Sequence, residues 1–268
     1  MGVINITPDS FSDGGKHLEQ DSLNHLNKSA FDILDIGAES TAPFNEPITE
    51  EEEWRRFEQF FFDRISLKAI SSSLSFDTYR FETFLKCYEK ARKNFTGKIY
   101  FNDISGKLEK EYLSEFKKLK NVAWVYSHNL CPVREKSSFH MDYCSEGNDE
   151  DFLTAFNNYF TNAKTLLSDI DFCFDPCFGF SKTRQQNQLL IKNAERWLTK
   201  DIPWLIGLSR KSFLRFPEGP IGDDQERLLS AELIHFHLLV NLSQYSQNII
   251  FRIHNSTIRS SFLNLAHF

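Results

Sequence analysis

Eight short apolar runs, each followed by a longer amphipathic stretch, constrain this chain more than any other feature. The runs are Gly2–Ile6, Ile33–Ile36, Leu74–Phe76, Ile99–Asn102, Ala123–Tyr126, Phe172–Phe174, Trp204–Gly207 and Ile249–Arg252. The stretches with helical spacing are Glu19–Ser29, Glu50–Phe62, Arg80–Arg92, Lys110–Leu119, Asp151–Leu167, Arg184–Trp197, Gln225–Val240 and a short one near Thr257–Leu265. Strands that alternate with helices build α/β folds, and eight such units predict a closed (β/α)8 TIM barrel rather than an open sheet. The 268 residues suit one domain spanning 1–268, since a barrel of this kind takes about 250. Thr49 with Glu52 fits a helix-starting capping box. The run Glu50–Glu53 reads as a solvated helix start that complements the helix dipole. Leu130–Asp149, with Pro132 and Gly147, reads as a long loop rather than a domain boundary.

Charge and composition exclude several classes. A net charge of −6 argues against a nucleic-acid binder, which usually carries a basic surface. No apolar run is long enough to span a bilayer, and no signal peptide precedes the first strand. The expectation is a soluble, cytoplasmic protein that binds neither nucleic acid nor membrane. Cys87, Cys131, Cys144, Cys173 and Cys177 form no paired zinc-type set and read as buried, inert thiols. The 27 phenylalanines predict an aromatic interface between helices and sheet.

Polar residues collect just past the strand ends. Asn5 and Thr7–Gly15 follow the first strand, Asp35–Pro43 the second, Asp77-Thr78 the third and Asn102–Gly106 the fourth. Asp175–Lys182 follows the sixth and Gly207–Ser212 the seventh, while Arg252-Ile253-His254-Asn255 closes the eighth. Any one of these could be an ordinary cap or turn. In a β/α barrel, however, all of them converge on the face where active sites are built. Asp77, Asn102, Asp175 and Lys211 offer the donors and acceptors that a polar heterocycle needs. Arg252 and His254 are two apart on a strand, share a face and suit a phosphate. Asn5 can lend a neutral oxygen to Mg²⁺, which takes few protein ligands and keeps water and phosphate oxygens.

The strings Met1–Gly15, Asp35–Pro43, Ser75–Thr78, Asn102–Gly106, Asp175–Lys182, Gly207–Phe213 and Arg252–His254 resemble the dihydropteroate synthase family in content, order and spacing. The resemblance implies a transferase of folate biosynthesis. It would condense 6-hydroxymethyl-7,8-dihydropterin pyrophosphate with p-aminobenzoate, with Mg²⁺ assisting departure of pyrophosphate. By matched position, Asp77, Asn102, Asp175, Phe180, Gly207 and Lys211 would hold the pterin. Phe11, Thr41, Pro43, Phe180 and Ser212 would border p-aminobenzoate. Asn5, Thr41, Arg252 and His254 would meet the pyrophosphate, and Asn5 the metal. Asp9, Asp13, Thr41, Lys211, Arg252 and His254 would carry the catalysis. The resemblance also implies a homodimer.

The chain departs from the family pattern at several points. Ser40-Thr41-Ala42-Pro43 lacks the arginine usual before the proline, a planar bidentate anion donor; Arg210 and Lys182 are candidate substitutes. Asn255 replaces an aspartate after His254. Cys177 stands where glycine is usual, which brings strain if the position needs positive φ. Ser127-His128-Asn129 puts polar residues where apolar pterin contacts are usual. The family's N-terminal hairpin is lacking. These departures leave a second reading open: a catalytically weakened or inactive pterin-binding homologue that acts as a partner or binding protein. A folate-binding methyltransferase would lack the Thr7–Gly15 string.

Overall fold

The computed structural model describes residues 1–6, 31–40, 46–209, 211–214, 224–245, 248–254 and 256–265, with only the backbone at 137, 212 and 224–228. Strands β1 (Gly2–Asn5), β2 (Ile33–Gly37), β3 (Ser73–Asp77), β4 (Ile99–Asp103), β5 (Val122–Ser127), β6 (Phe172–Asp175), β7 (Trp204–Ile206) and β8 (Ile249–Phe251) form one parallel sheet in sequential order. The ring closes just beyond β8. Ile253 bridges Gly2, Val3 N–H donates to Ile253 O at 3.1 Å, and Ile253 N–H donates to Met1 O at 3.0 Å. The barrel read from the apolar runs is present, and each strand lies within two residues of its expected position.

Alternation along the strands sorts the side chains between two faces. Leu74, Phe76, Phe101, Trp124, Phe174 and Trp204 face outward into the main core. Met1, Ile33, Val125, Cys173 and Leu205 form a separate buried cluster, packed against Tyr100 and Ile250. The outward face meets helices α1 (Glu50–Arg56), α2 (Phe81–Arg92), α3 (Lys110–Phe116), α4 (Asp149–Leu166), α5 (Arg184–Lys192), α6 (Ala194–Trp197), α7 (Asp224–Ser243) and α8 (Ser256–Leu265). The contact is largely ring on ring. Phe84 lies 4.5 Å from Phe101, Phe116 lies 5.2 Å from Trp124 and Phe160 lies 4.5 Å from Phe174 between ring centroids. Such pairs add about 0.5–1.5 kcal/mol each beyond area burial, which accounts for the phenylalanine excess.

Two expected helices differ in detail. The Glu50–Phe62 segment changes to π geometry over Phe57–Phe62, with Asp63 N–H donating to Glu58 O at 2.9 Å. This turn sets both Phe57 and Phe61 edge-on to Phe76. The Arg184–Trp197 segment breaks at Asn193, whose side-chain amide donates to Leu189 O at 2.9 Å and so competes with the helical ladder. Thr49 caps α1 by accepting from Glu52 N–H at 3.2 Å. The Glu52 carboxylate pairs with Arg55 and Arg56, so only half of the capping box is present. The expected helix over 19–29 lies outside the described residues. Cys87, Cys131, Cys173 and Cys177 are buried and Cys144 is half-buried; all are free thiols.

Candidate active site

The strand ends of the barrel enclose a cavity of about 260 Å³. Every predicted site residue whose side chain is described lines it: Asn5, Asp77, Asn102, Asp175, Phe180, Gly207, Lys211, Arg252 and His254. Register explains the convergence. Asn5 pairs with Gly37, Gly37 with Asp77, and Asp77 with Asn102, so these positions stand level across four strands. Ser127 pairs with Asp175 on the opposite wall. Asp9, Phe11, Asp13, Thr41 and Pro43 lie outside the described residues, as do Ala42, Arg210 and Asn255. The Ser212 backbone follows Lys211 directly.

One residue central to the site does not stand out in sequence reading. Asp35 is fully buried and accepts from Asn102 Nδ2 at 3.1 Å and from Arg252 Nε at 2.7 Å. Arg252 also donates to Asp77 Oδ2 at 2.6 Å, so a single guanidinium ties two carboxylates together. Burial alone would lower the Arg252 pKa, but Asp35 and Asp77 outweigh it and hold it above the ordinary value. Burial pushes the Asp77 carboxyl upward and Arg252 only partly offsets that. Asp175 is raised for the same reason, against the pull of the Cys177 N–H and Lys211. Burial lowers the Lys211 ammonium, which lies 4.7 Å from the Phe180 ring centroid. His254 is fixed through Nδ1, 3.0 Å from Ser209 Oγ. The signal for Asp35 is a lone charge inside an apolar strand, in phase with inward-facing Gly37.

The turn after β6 confirms the suspicion about Cys177. Its φ is +54°, followed by Gly179 at +84° and Ser181 at +49°. A non-glycine residue in this region costs about 1–2 kcal/mol. We expect Cys177→Gly to fold with an unchanged or raised melting temperature, and Cys177→Val to lose several degrees. A Val variant as stable as the parent would contradict the strain.

Lys182 is not a substitute for the missing loop arginine. Its ammonium is buried and donates to His128 O at 2.8 Å, Phe180 O at 3.0 Å and Cys177 O at 3.3 Å. It braces the turn and does not line the cavity. The polar string after β5 is also divided: only Ser127 faces the cavity. The His128 ring turns outward among Phe156, Tyr159 and Phe160, and Nδ1 has no hydrogen-bond partner among the described residues. Burial holds its pKa well below the usual value. Below about pH 6.5 the unfolded chain binds a proton here that the folded chain does not, so this group costs stability as pH falls. We expect His128→Phe to gain on the parent by up to about 1.4 kcal/mol per pH unit below pH 6.5, in denaturant melts at pH 7 and pH 5. A pH-independent difference would contradict it.

A cavity at the mouth of a β/α barrel, lined by both carboxylates and cations, is where enzymes of this fold build their active sites. The family model of pterin binding enzymes matches residues 1–241, and the chain belongs to that family. Within it, the chain is a homologue of dihydropteroate synthases. It is 33% identical over 223 residues to the dihydropteroate synthase of Clostridium beijerinckii, covering 80% of this chain and 75% of that one. The corresponding Bacillus subtilis enzyme is 31% identical over 218 residues, covering 80% of this chain and 70% of that one. The solved Xanthomonas albilineans dihydropteroate synthase with 4-aminobenzoic acid superposes with a TM-score of 0.73 at 25% identity, covering all of this chain and 91% of that one.

Proposed function

We propose that this chain is a transferase that condenses 6-hydroxymethyl-7,8-dihydropterin pyrophosphate with p-aminobenzoate to give dihydropteroate and pyrophosphate. The observation that carries the reading is the gathering of Asp77, Asn102, Asp175 and Lys211 around one cavity with Arg252, His254 and Asn5. The carboxylates accept from the pterin amino and ring N–H groups, and Lys211 donates to its acceptors. As the p-aminobenzoate nitrogen forms the C–N bond, the C–O bond to pyrophosphate breaks. The leaving group keeps the electron pair, and the amine sheds one proton. Positive charge on Arg252 and His254 offsets the charge that develops on the leaving group. Asp77 and Asp175 favour transient positive charge on the pterin by Coulomb attraction.

Mg²⁺ fits the donor set. Asn5 lines the cavity and would offer one neutral oxygen to an ion that otherwise keeps water and phosphate oxygens. When bound, the ion adds charge neutralisation at the leaving group. Phe11, Thr41, Pro43, Phe180 and Ser212 are assigned to the p-aminobenzoate side, and Asp9 and Asp13 to the catalysis. The single domain is assigned to a homodimer, which exposed Leu229 and Leu233, one turn apart on α7, support. No helix among the described residues is long and apolar enough to cross a membrane, and the assigned location is the cytoplasm. The test is a titration with 6-hydroxymethylpterin pyrophosphate, followed by pterin fluorescence. Absence of saturable micromolar binding overturns the reading; saturable binding establishes the pterin site, and pyrophosphate release that depends on p-aminobenzoate then decides the transferase step.

A further inference from the structure

We propose that Arg134, acting through Glu39 with Arg80, is a positioning residue that clasps both ends of the β2–α1 connection at the rim of the cavity. The inference rests on the proposed function, which places that connection beside the second substrate.

Glu39 lies two residues past the end of β2, on the cavity wall with Ser40. Its side chain is 3% exposed, so its charge needs partners. The two oxygens are divided between two arginines from different strand ends. Oε2 accepts from Arg80 after β3 at 2.9 Å and from the Tyr79 hydroxyl at 3.3 Å. Oε1 accepts from Arg134 Nε, beyond β5, at 3.0 Å. Each arginine then reaches one end of the connection. Arg134 Nη2 donates to Ser40 O at 3.1 Å, and Arg80 Nη2 donates to Ile48 O. Arg80 is itself anchored by buried Glu53 at 3.0 Å. Arg56 Nη1 donates to Ala38 O at 2.9 Å, which fixes the root of the connection from α1.

The geometry thus draws Ser40 and Ile48 toward a single carboxylate. Arg134 is 7% exposed and also borders a second cavity of about 300 Å³ that shares Ile104 and Phe180 with the first. It lies outside the substrate cavity, so its influence on chemistry passes through Glu39 and Ser40. A planar guanidinium is required, because Nε and Nη2 serve two acceptors at once and an ammonium cannot reproduce that fork.

Two readouts on the full chain test this. Hydrogen exchange of residues 38–40 and 46–49 should quicken about tenfold or more in Arg134→Ala, with α4 unchanged, since local opening follows loss of local contacts. In steady-state assays, Arg134→Ala should lower kcat/KM for p-aminobenzoate about 10- to 100-fold while pterin pyrophosphate affinity stays within about twofold, and Arg134→Lys should recover only part of the loss. Unchanged exchange over 38–40 and 46–49 overturns the clasp. An equal loss of pterin affinity overturns the positioning role. If the parent protein forms no dihydropteroate, the proposed function fails, and the exchange result still decides the clasp.

Discussion

Arg252→Leu is expected to lower stability by about 3–5 kcal/mol, the usual cost of leaving a buried ion pair without one partner. For a chain of this size that is roughly 10 °C in melting temperature. Asp35 is fully buried and gives its Oδ2 to Arg252, and Asp77 does the same from the neighbouring strand. Leucine fills part of the volume but leaves two carboxylates facing each other. Arg252 is also the main influence that holds the Asp77 carboxyl down against burial. In the variant, Asp77 should therefore take up a proton on folding over a wider range of pH. A group whose folded pKa is raised gains stability as pH falls, so the deficit should be largest at pH 8 and shrink toward pH 5. Thermal melts of parent and variant at both values check this. Equal melting temperatures at pH 8 would mean that the Asp35–Arg252–Asp77 bridge does not stabilise the barrel mouth.

Asp175→Asn should do the reverse, sparing the fold and removing function. Asp175 Oδ1 accepts from Cys177 N–H at 2.7 Å, and an asparagine oxygen can do the same. The carboxyl is raised by burial, so replacing it removes a charge the folded chain holds at a cost. The melting temperature should be unchanged or higher. What the amide cannot supply is a full negative charge against the pterin as the leaving group departs. Removing one such preorganised group costs on the order of 10²–10³ in rate, and pterin affinity should fall in parallel. Turnover within a few-fold of the parent would remove Asp175 from the proposed pterin contacts.

The fold and most of the cavity were legible in the sequence because both follow from short-range periodicity. Residues at strand ends are placed by the strands themselves, and Asp77, Asn102, Asp175 and Arg252 could not avoid one another once eight parallel strands closed. What stayed hidden depends on which partner a side chain finds across the barrel. Lys182 reads as a spare cation but turns back onto two carbonyls of its own turn and one just past β5. His128 reads as a change in the pocket but faces the aromatic layer. Asp35 and Glu39 read as parts of a string and prove to be the acceptors that organise three arginines. Cys177 was legible as a strained position only because the turn after β6 is expected to carry glycine there.

The most direct measurement is pyrophosphate release from 6-hydroxymethyl-7,8-dihydropterin pyrophosphate in Mg²⁺, with and without p-aminobenzoate. Release that depends on p-aminobenzoate and matches dihydropteroate formed mole for mole is the predicted result. Tight pterin binding with no release would contradict it, and would make the chain a pterin-binding homologue that lacks the transferase step.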